Sequence, residues 1–290
     1  MAFIKHLPQP SRGIINLTGG EPFAYRDLEP LLAYVSRFKG RISFNFLSNG
    51  TMISDKIIRL LRRYPPAWVQ ISVDGDQTTH DQIRGEGAFG RTVEGIRRLK
   101  SEGITVLISF TAHKQNYKHF PTVVKIAQEI GVDRVWSDRL IPEGVGEGMR
   151  DRLLSPKETQ RYVRMMKWEQ IKSRLNPWHA THVATHRALQ FVPFLDTPHR
   201  CSAGRYLFAL MPNGMLYPCR RLPIELGNIR QESFIEIYQK HPLVQKLKQP
   251  FIPTQGCEGC RFERTCNGGL RCLSYATTGD PFIKDTGCWR

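Results

Sequence analysis

The sequence predicts an α/β fold, a partial six-unit (β/α) barrel of the TIM type followed by a small cysteine-rich domain built on a β-hairpin. Three observations predict it. Short apolar runs rich in β-branched residues alternate with helix-period stretches through the first half of the chain; all seven cysteines fall between Cys201 and Cys288; and a hairpin pattern opens the region where they gather. Strands that alternate with helices pair in parallel, and successive βα units curl into a barrel whose functional groups collect at the C-terminal ends of its strands.

The first strand is read at 13–17 and ends in the glycine-rich segment 18–22. A helix at 27–38 leads to a strand at 42–47, which runs into the polar segment 48–51 and a helix at 54–63 with Ser54 as its N-cap. The third strand, 68–73, enters the polar segment 72–76; a helix at 90–102 precedes the fourth strand, 104–110, and the polar segment 111–114. A helix at 120–130, a fifth strand at 133–137 and a helix at 155–172 capped by Ser155 complete the alternation. Residues 1–150 are assigned to the barrel, 151–196 to a helical linker and 197–290 to the cysteine-rich domain, while 3–10 read as the tail of a helix. In the last domain, 206–211 and 215–217 flank Pro212-Asn213-Gly214 as two strands about a tight turn, with Cys201 and Cys219 on either side.

Composition narrows the function classes. With 290 residues and 40% hydrophobic content the chain can bury a sizeable core. No apolar run approaches the roughly 18 residues of a membrane helix, and residues 1–20 show no charged n-region followed by an apolar h-region, so a cytoplasmic location is expected. The formal net charge of +16 favours an anionic partner such as an acidic peptide or an acidic electron-transfer protein. Nucleic acid is not expected, since the basic residues are spread along amphipathic stretches such as 56–63 and 150–174 without a nucleic-acid motif.

The thiols carry the chemistry. Cys201, Cys219, Cys257, Cys260, Cys266, Cys272 and Cys288 include one CxxC pair and short further spacings, which suit iron-sulfur clusters or zinc. An odd number in a reducing compartment makes disulfides the weaker reading. His182 and His186, four apart, read as surface or core histidines rather than a ligand pair on one helix face, in a basic stretch that also holds Asn176, Pro177, Trp178 and His179. Asp74, at a strand end, is the candidate catalytic group, with His80, Asp81 and Arg84 beside it. Trp68, Trp136, Trp168 and Trp178 read as core or domain-interface residues. No Ser-His-Asp set, P-loop or HExxH segment argues for a hydrolase.

Thr18-Gly19-Gly20-Glu21-Pro22 after a strand resembles the GGEP motif of radical S-adenosylmethionine (radical SAM) enzymes, and the segment 72–85, SVDGDQTTHDQIRG, is similar to a strand segment of their peptide-modifying branch. Cys201, Gly214 and Cys219 followed by CxxCx5C and a last cysteine resemble the SPASM auxiliary-cluster domain. The resemblance spans nearly the whole chain. It implies SAM binding by Gly19, Gly20, Glu21 and Pro22 with Ser48, Asn49 and Ser72, and two auxiliary iron-sulfur clusters of the 4Fe-4S type. Cys257, Cys260, Cys266 and Cys288 would hold one; Cys201, Cys219 and Cys272 would hold the other, whose fourth position is open or filled by substrate, water or a side chain such as His199.

Two departures stand out. The family's CxxxCxxC loop, whose third cluster cleaves SAM, is not found ahead of Gly19, and the chain reads as an N-terminally truncated form of a longer enzyme. The family's usual cysteine at position 270 is Leu270, with Cys272 in its place. The resemblance therefore implies a radical SAM/SPASM maturase that oxidatively modifies a peptide or small protein, served by a ferredoxin or flavodoxin. Modification of a tetrapyrrole or other cofactor precursor, and a non-catalytic relay or substrate-presenting protein, are the alternatives.

Overall fold

In a computed structural model of the chain, residues 13–175, 180–191 and 198–290 are described. Asn176 to His179 and the segment 3–10 lie outside them. Six parallel strands form one sheet in sequential order: β1 (Gly13–Leu17), β2 (Ile42–Ser48), β3 (Val69–Ser72), β4 (Val106–Ala112), β5 (Arg134–Arg139) and β6 (His182–Ala184). Between them run α1 (Leu28–Ser36), α2 (Asp55–Arg63), α3 (Gln77–Arg84), α4 (Ala88–Ser101), α5 (Phe120–Ile130) and α6 (Pro156–Leu175). Ser54 caps α2 by accepting from the Ile57 amide at 3.5 Å, and Ser155 and Glu158 bond reciprocally at the start of α6.

Two of these elements go beyond the sequence reading. Helix α3 lies in the polar segment after β3; Asp76 caps it by accepting from the Thr79 amide at 2.9 Å, and its only buried side chain, His80, leaves no apolar stripe to read. Strand β6 lies in the stretch read as helical linker. Three residues carry no readable period, and its pairing with Arg134, Val135 and Trp136 of β5 defines it. His182 therefore sits in a strand and His186 on the exposed chain beyond it, and the two share no helix face. Trp68 and Trp136 are half-buried, whereas Trp168, read as core or interface, is 60% exposed on α6; Trp178 lies outside the described residues.

Because successive side chains of a strand point to opposite faces, the parallel registers sort the sheet into two surfaces. Phe44 and Phe46, Val69 and Ile71, Val106, Ile108 and Phe110, Val135 and Val183 all fall on one face and are all buried. Helices cover this face. The Phe110 ring meets Phe120 of α5 at 5.7 Å, and α4 comes so close that a Cβ on Gly95 would stand 2.1 Å from the Gly50 carbonyl oxygen. Each such apolar side chain contributes about 1.5–3 kcal/mol on burial, so this face alone anchors the sheet to its helices. Asn16, Asn45, Gln70, Ser72, Ser109, Thr111, Trp136 and Asp138 fall on the other face.

Among the described residues, one compact unit comprises 13–139 and 164–185, and a second comprises 140–163 and 186–290. The second carries the expected hairpin, β7 (Ala209–Leu210) and β8 (Met215–Tyr217), extended by β9 (Gly227–Asn228). Gly214 closes the turn at φ +91, a left-handed conformation that favours glycine. Helices α7 (Phe234–Lys240) and α8 (Pro242–Lys248) pack Ile237 and Val244 against Leu216 and Leu226, and α9 (Glu263–Cys266) and α10 (Arg271–Thr278) complete the unit. No helix among the described residues is long and apolar enough to cross a membrane.

Candidate functional site

The C-terminal ends of β1, β2 and β3 bring three of the sequence-predicted segments together. Gly19 takes φ +144, residues 18–20 are exposed, and a Cβ on either Gly19 or Gly20 would meet nothing within 4 Å, so the turn is open to solvent. Glu21 turns back toward the sheet. One of its carboxylate oxygens accepts from Ser48 Oγ at 2.7 Å and from the Phe23 amide at 3.2 Å; the other accepts from the Asn49 amide at 2.8 Å. Asn49 Oδ1 in turn accepts from the amide and hydroxyl of Thr51, and Ser48 Oγ accepts from the Gly50 amide at 2.9 Å. A single carboxylate thus braces the turns after β1 and β2, while Pro22 is buried behind it and Ser72 is half-buried at the end of β3.

Asp74 is 2% exposed, and both its oxygens are engaged. Oδ1 accepts from the Thr111 amide at 3.0 Å and Oδ2 from Arg84 Nε at 2.6 Å. Asn116 donates to the carbonyls of both Asp74 and Thr111, so the group ties the end of β3 to the end of β4. The Asp74 amide donates to His80 Nδ1 at 3.2 Å, which leaves the proton of the neutral imidazole on Nε2. His80 is fully buried, and burial first, then the charge of Arg84, holds it below the ordinary histidine value of 6.5. The unfolded chain takes up a proton near that value while the folded chain does not. Stability is therefore expected to fall as pH drops below about 6.5. Thermal unfolding between about pH 7.5 and 5 checks this, and His80→Gln should flatten that part of the profile; an unchanged profile would count against it.

The opposite face of the same sheet carries polar side chains that are largely buried. Asn45 Nδ2 donates to Asn16 Oδ1 at 3.2 Å, and Trp136 Nε1 donates to Gln70 Oε1 at 3.0 Å, fixing the indole against the sheet. Asn45, Gln70, Ser109 and Asp138 are each less than 9% exposed. Sequence reasoning missed this surface. Its polar residues, Asn16, Asn45, Gln70, Ser109 and Thr111, alternate with the apolar ones but share the face with Ile14, Leu47 and Leu107, so no strict polar alternation marks it.

In the second unit none of the seven thiols forms a disulfide, and they fall into two neighbourhoods. Burial, then the thiols of Cys288 and Cys260, push Cys257 up to about 11, and burial with Cys288 and Asp285 pushes Cys266 up to about 12. Cys257 thus stands in the fields of Cys260 and Cys288, and Cys266 in those of Cys257 and Cys288. Cys272, on the first turn of α10, lies instead in an apolar cluster with Ala203, Leu222, Leu270 and Leu273, against which Cys201 and Cys219 also pack. Leu270, at the family's usual cysteine position, is a buried member of that cluster. Among the described residues no three Cys, His, Asp or Glu side chains are gathered closely enough to share one metal ion. An iron-sulfur cube, with iron and sulfide between its thiolates, spreads its ligands more widely.

Two orphaned donors beside the first group test its fit to such a cluster. Arg290 Nε and Asn267 Nδ2 are buried and have no hydrogen-bond partner. Arg290 lies in the field of Cys288, Cys266 and Cys260, and Asn267 follows Cys266 in sequence. A buried donor that lacks an acceptor and lies in the field of thiols, as Arg290 Nε does, suits a centre whose sulfurs accept hydrogen bonds.

Comparison with known proteins agrees with this arrangement. A family model described as the radical SAM superfamily matches residues 2–127, and one described as an iron-sulfur cluster-binding domain, SPASM, matches 201–261. An AdoMet-dependent heme synthase of Methanosarcina barkeri is 27% identical over 99% of this chain and 85% of its own length. A PqqA peptide cyclase of Granulibacter bethesdensis is 25% identical over 94% of this chain and 73% of its own. Among solved structures, Streptococcus suis SuiB bound to S-adenosylmethionine superposes with a TM-score of 0.74 at 18% identity, covering 96% of this chain and 66% of that one.

Proposed function

Since the chain belongs to the radical SAM superfamily and carries that superfamily's SPASM iron-sulfur domain, we propose that it takes part in the oxidation of a carboxylate-bearing substrate, with a tetrapyrrole as the first reading. The match to a heme synthase over 99% of the chain carries that reading. The formal charge of +16 supports it, because tetrapyrrole precursors present several propionates to a positive field. A peptide or small protein is the second reading, favoured by the PqqA peptide cyclase relative. A relay or substrate-presenting role for the same thiols is the third reading.

In this proposal the exposed peptide groups of Gly19 and Gly20 receive the amino-acid end of SAM, Glu21 and Pro22 hold the turn in shape, and Ser48, Asn49 and Ser72 supply polar contacts beside it. Asp74 acts as a positioning residue, because its two oxygens are spent on Arg84 and Thr111. The polar sheet face around Gln70 and Trp136 receives the substrate. Cys257, Cys260, Cys266 and Cys288 hold one auxiliary cluster, and Cys201, Cys219 and Cys272 the other. When bound, SAM and its own cluster supply hydrogen abstraction, and the auxiliary clusters supply electron transfer. All seven cysteines lie in the second unit, where this reading assigns them to the auxiliary clusters. A ferredoxin or flavodoxin is the proposed electron partner.

The test is an anaerobic binding titration with iron coproporphyrin III and, separately, with an acidic peptide, at low and high salt. Binding of the porphyrin that quenches Trp136 emission, weakens with salt and loses its quenching in Trp136→Phe is the expected result. Binding of the peptide alone would replace the first reading with the second, and binding of neither would leave the relay.

A further inference from the structure

Arg271 is 3% exposed at the start of α10, a fully charged side chain in the interior of the second unit. Its hydrogen bonds run to the Pro281 carbonyl at 3.0 Å, the Asn267 carbonyl at 3.1 Å and Asn267 Oδ1 at 3.2 Å, and its guanidinium lies over the Phe282 ring. All of these partners are neutral. Among the described residues no carboxylate pairs with it, although a buried cation without a counter-anion is strongly disfavoured. What stands within its field is sulfur: Cys201 from one thiol neighbourhood, Cys257 and Cys266 from the other, with the cation Arg200 adding repulsion. Arg290 repeats the pattern on one side only. It donates to the Phe191 carbonyl at 3.1 Å, stacks over Phe191 and Phe262, leaves Nε without an acceptor and has the thiols of Cys260, Cys266 and Cys288 as neighbours.

We infer that Arg271 and Arg290 are built-in counter-cations of the iron-sulfur clusters, Arg271 shared between the two and Arg290 serving only the four-cysteine one, and that they set how readily each cluster accepts an electron. The inference rests on the two-cluster reading above. A cluster held by thiolates carries net negative charge, which grows by one when an external reductant supplies an electron. A fixed cation nearby stabilises the reduced form more than the oxidised one and so raises the potential. The missing counter-anion of Arg271 is then the pair of clusters themselves, and the orphaned Arg290 Nε donates to sulfur.

The experiment is a redox titration of the anaerobically purified chain, followed by electron paramagnetic resonance, with iron and sulfide measured on every sample. Arg271→Gln keeps a donor and removes the charge; it should shift both midpoint potentials to more negative values, and Arg271→Lys should leave both near wild type. Arg290→Gln should shift one potential only, again with recovery in Arg290→Lys. Gln and Lys variants that carry full clusters and titrate alike would overturn the inference, since a purely structural role would move unfolding temperature and not this split. Should Arg271→Gln fail to take up iron while Arg271→Lys succeeds, the charge requirement appears at assembly. Should neither load, the Arg290 pair decides by the same comparison. A wild-type chain with no sulfide would overturn the two-cluster reading as well, and the iron and sulfide measurement tells that failure from the first.

Discussion

Serine in place of Cys257 and Cys260 is expected to halve the iron and sulfide of the anaerobically purified chain, from about eight of each to about four, on the arithmetic of two 4Fe-4S clusters. Cys272→Ser should remove the other half and leave the first set intact, because Cys272 packs with Cys201 and Cys219 and away from the thiols that repel one another around Cys266. The two losses should add in the triple variant, since the two neighbourhoods share no cysteine. Iron and sulfide assays check it directly. About one zinc with no sulfide in the wild type, or loss of all iron from either substitution, would contradict the assignment of two separate clusters.

The second large effect concerns Glu21. Its carboxylate accepts three hydrogen bonds, two of them from the turn after the neighbouring strand, and each bond to a charged acceptor is worth about 1.5–3 kcal/mol. Losing the two that join the turns should release the Gly19-Gly20 backbone from the shape proposed to receive SAM. Glu21→Ala is therefore expected to weaken SAM binding by roughly two orders of magnitude, at about 1.4 kcal/mol per tenfold. Glu21→Gln, which keeps one acceptor oxygen, should fall between. Anaerobic calorimetry of SAM binding, beside thermal unfolding of the same samples, is the measurement. Equal affinity in wild type and Glu21→Ala would refute the bracing role, and a matching collapse of the unfolding temperature would show that the whole sheet had been lost.

Much of the fold was legible because the strands are apolar on the helix-covered face and the helices between them carry clear stripes, as Ile57, Ile58 and Leu61 do in α2. The exceptions have physical causes. Helix α3 is held by a cap and one buried histidine, so nothing in its hydrophobic pattern marks it. Strand β6 is three residues long and exists by pairing. Of the candidate site, the glycines and Glu21 were visible as a motif and the thiols as a spacing, since both depend on residues near in sequence. Gln70 with Trp136 was not visible, because that hydrogen bond joins residues 66 positions apart and depends on the register of the intervening strand. Arg271 was invisible for a related reason. An arginine beside a cysteine reads as ordinary surface charge until the fold brings it no carboxylate.

The division of the sheet into a helix-packed face and a polar face has a consequence for how such a chain can diverge. Stability resides in Phe46, Val69, Ile71, Ile108 and Val135, whose neighbours are helices. The groups turned to the other side, Asn16, Asn45, Gln70, Ser109 and Trp136, alternate with them along the same strands, one residue out of step. A mutation that redraws the polar surface therefore leaves its apolar neighbours in place. Descendants of one ancestral sheet can exchange one ligand for another of unrelated shape by drift through folded intermediates, without crossing a valley of unfolded ones.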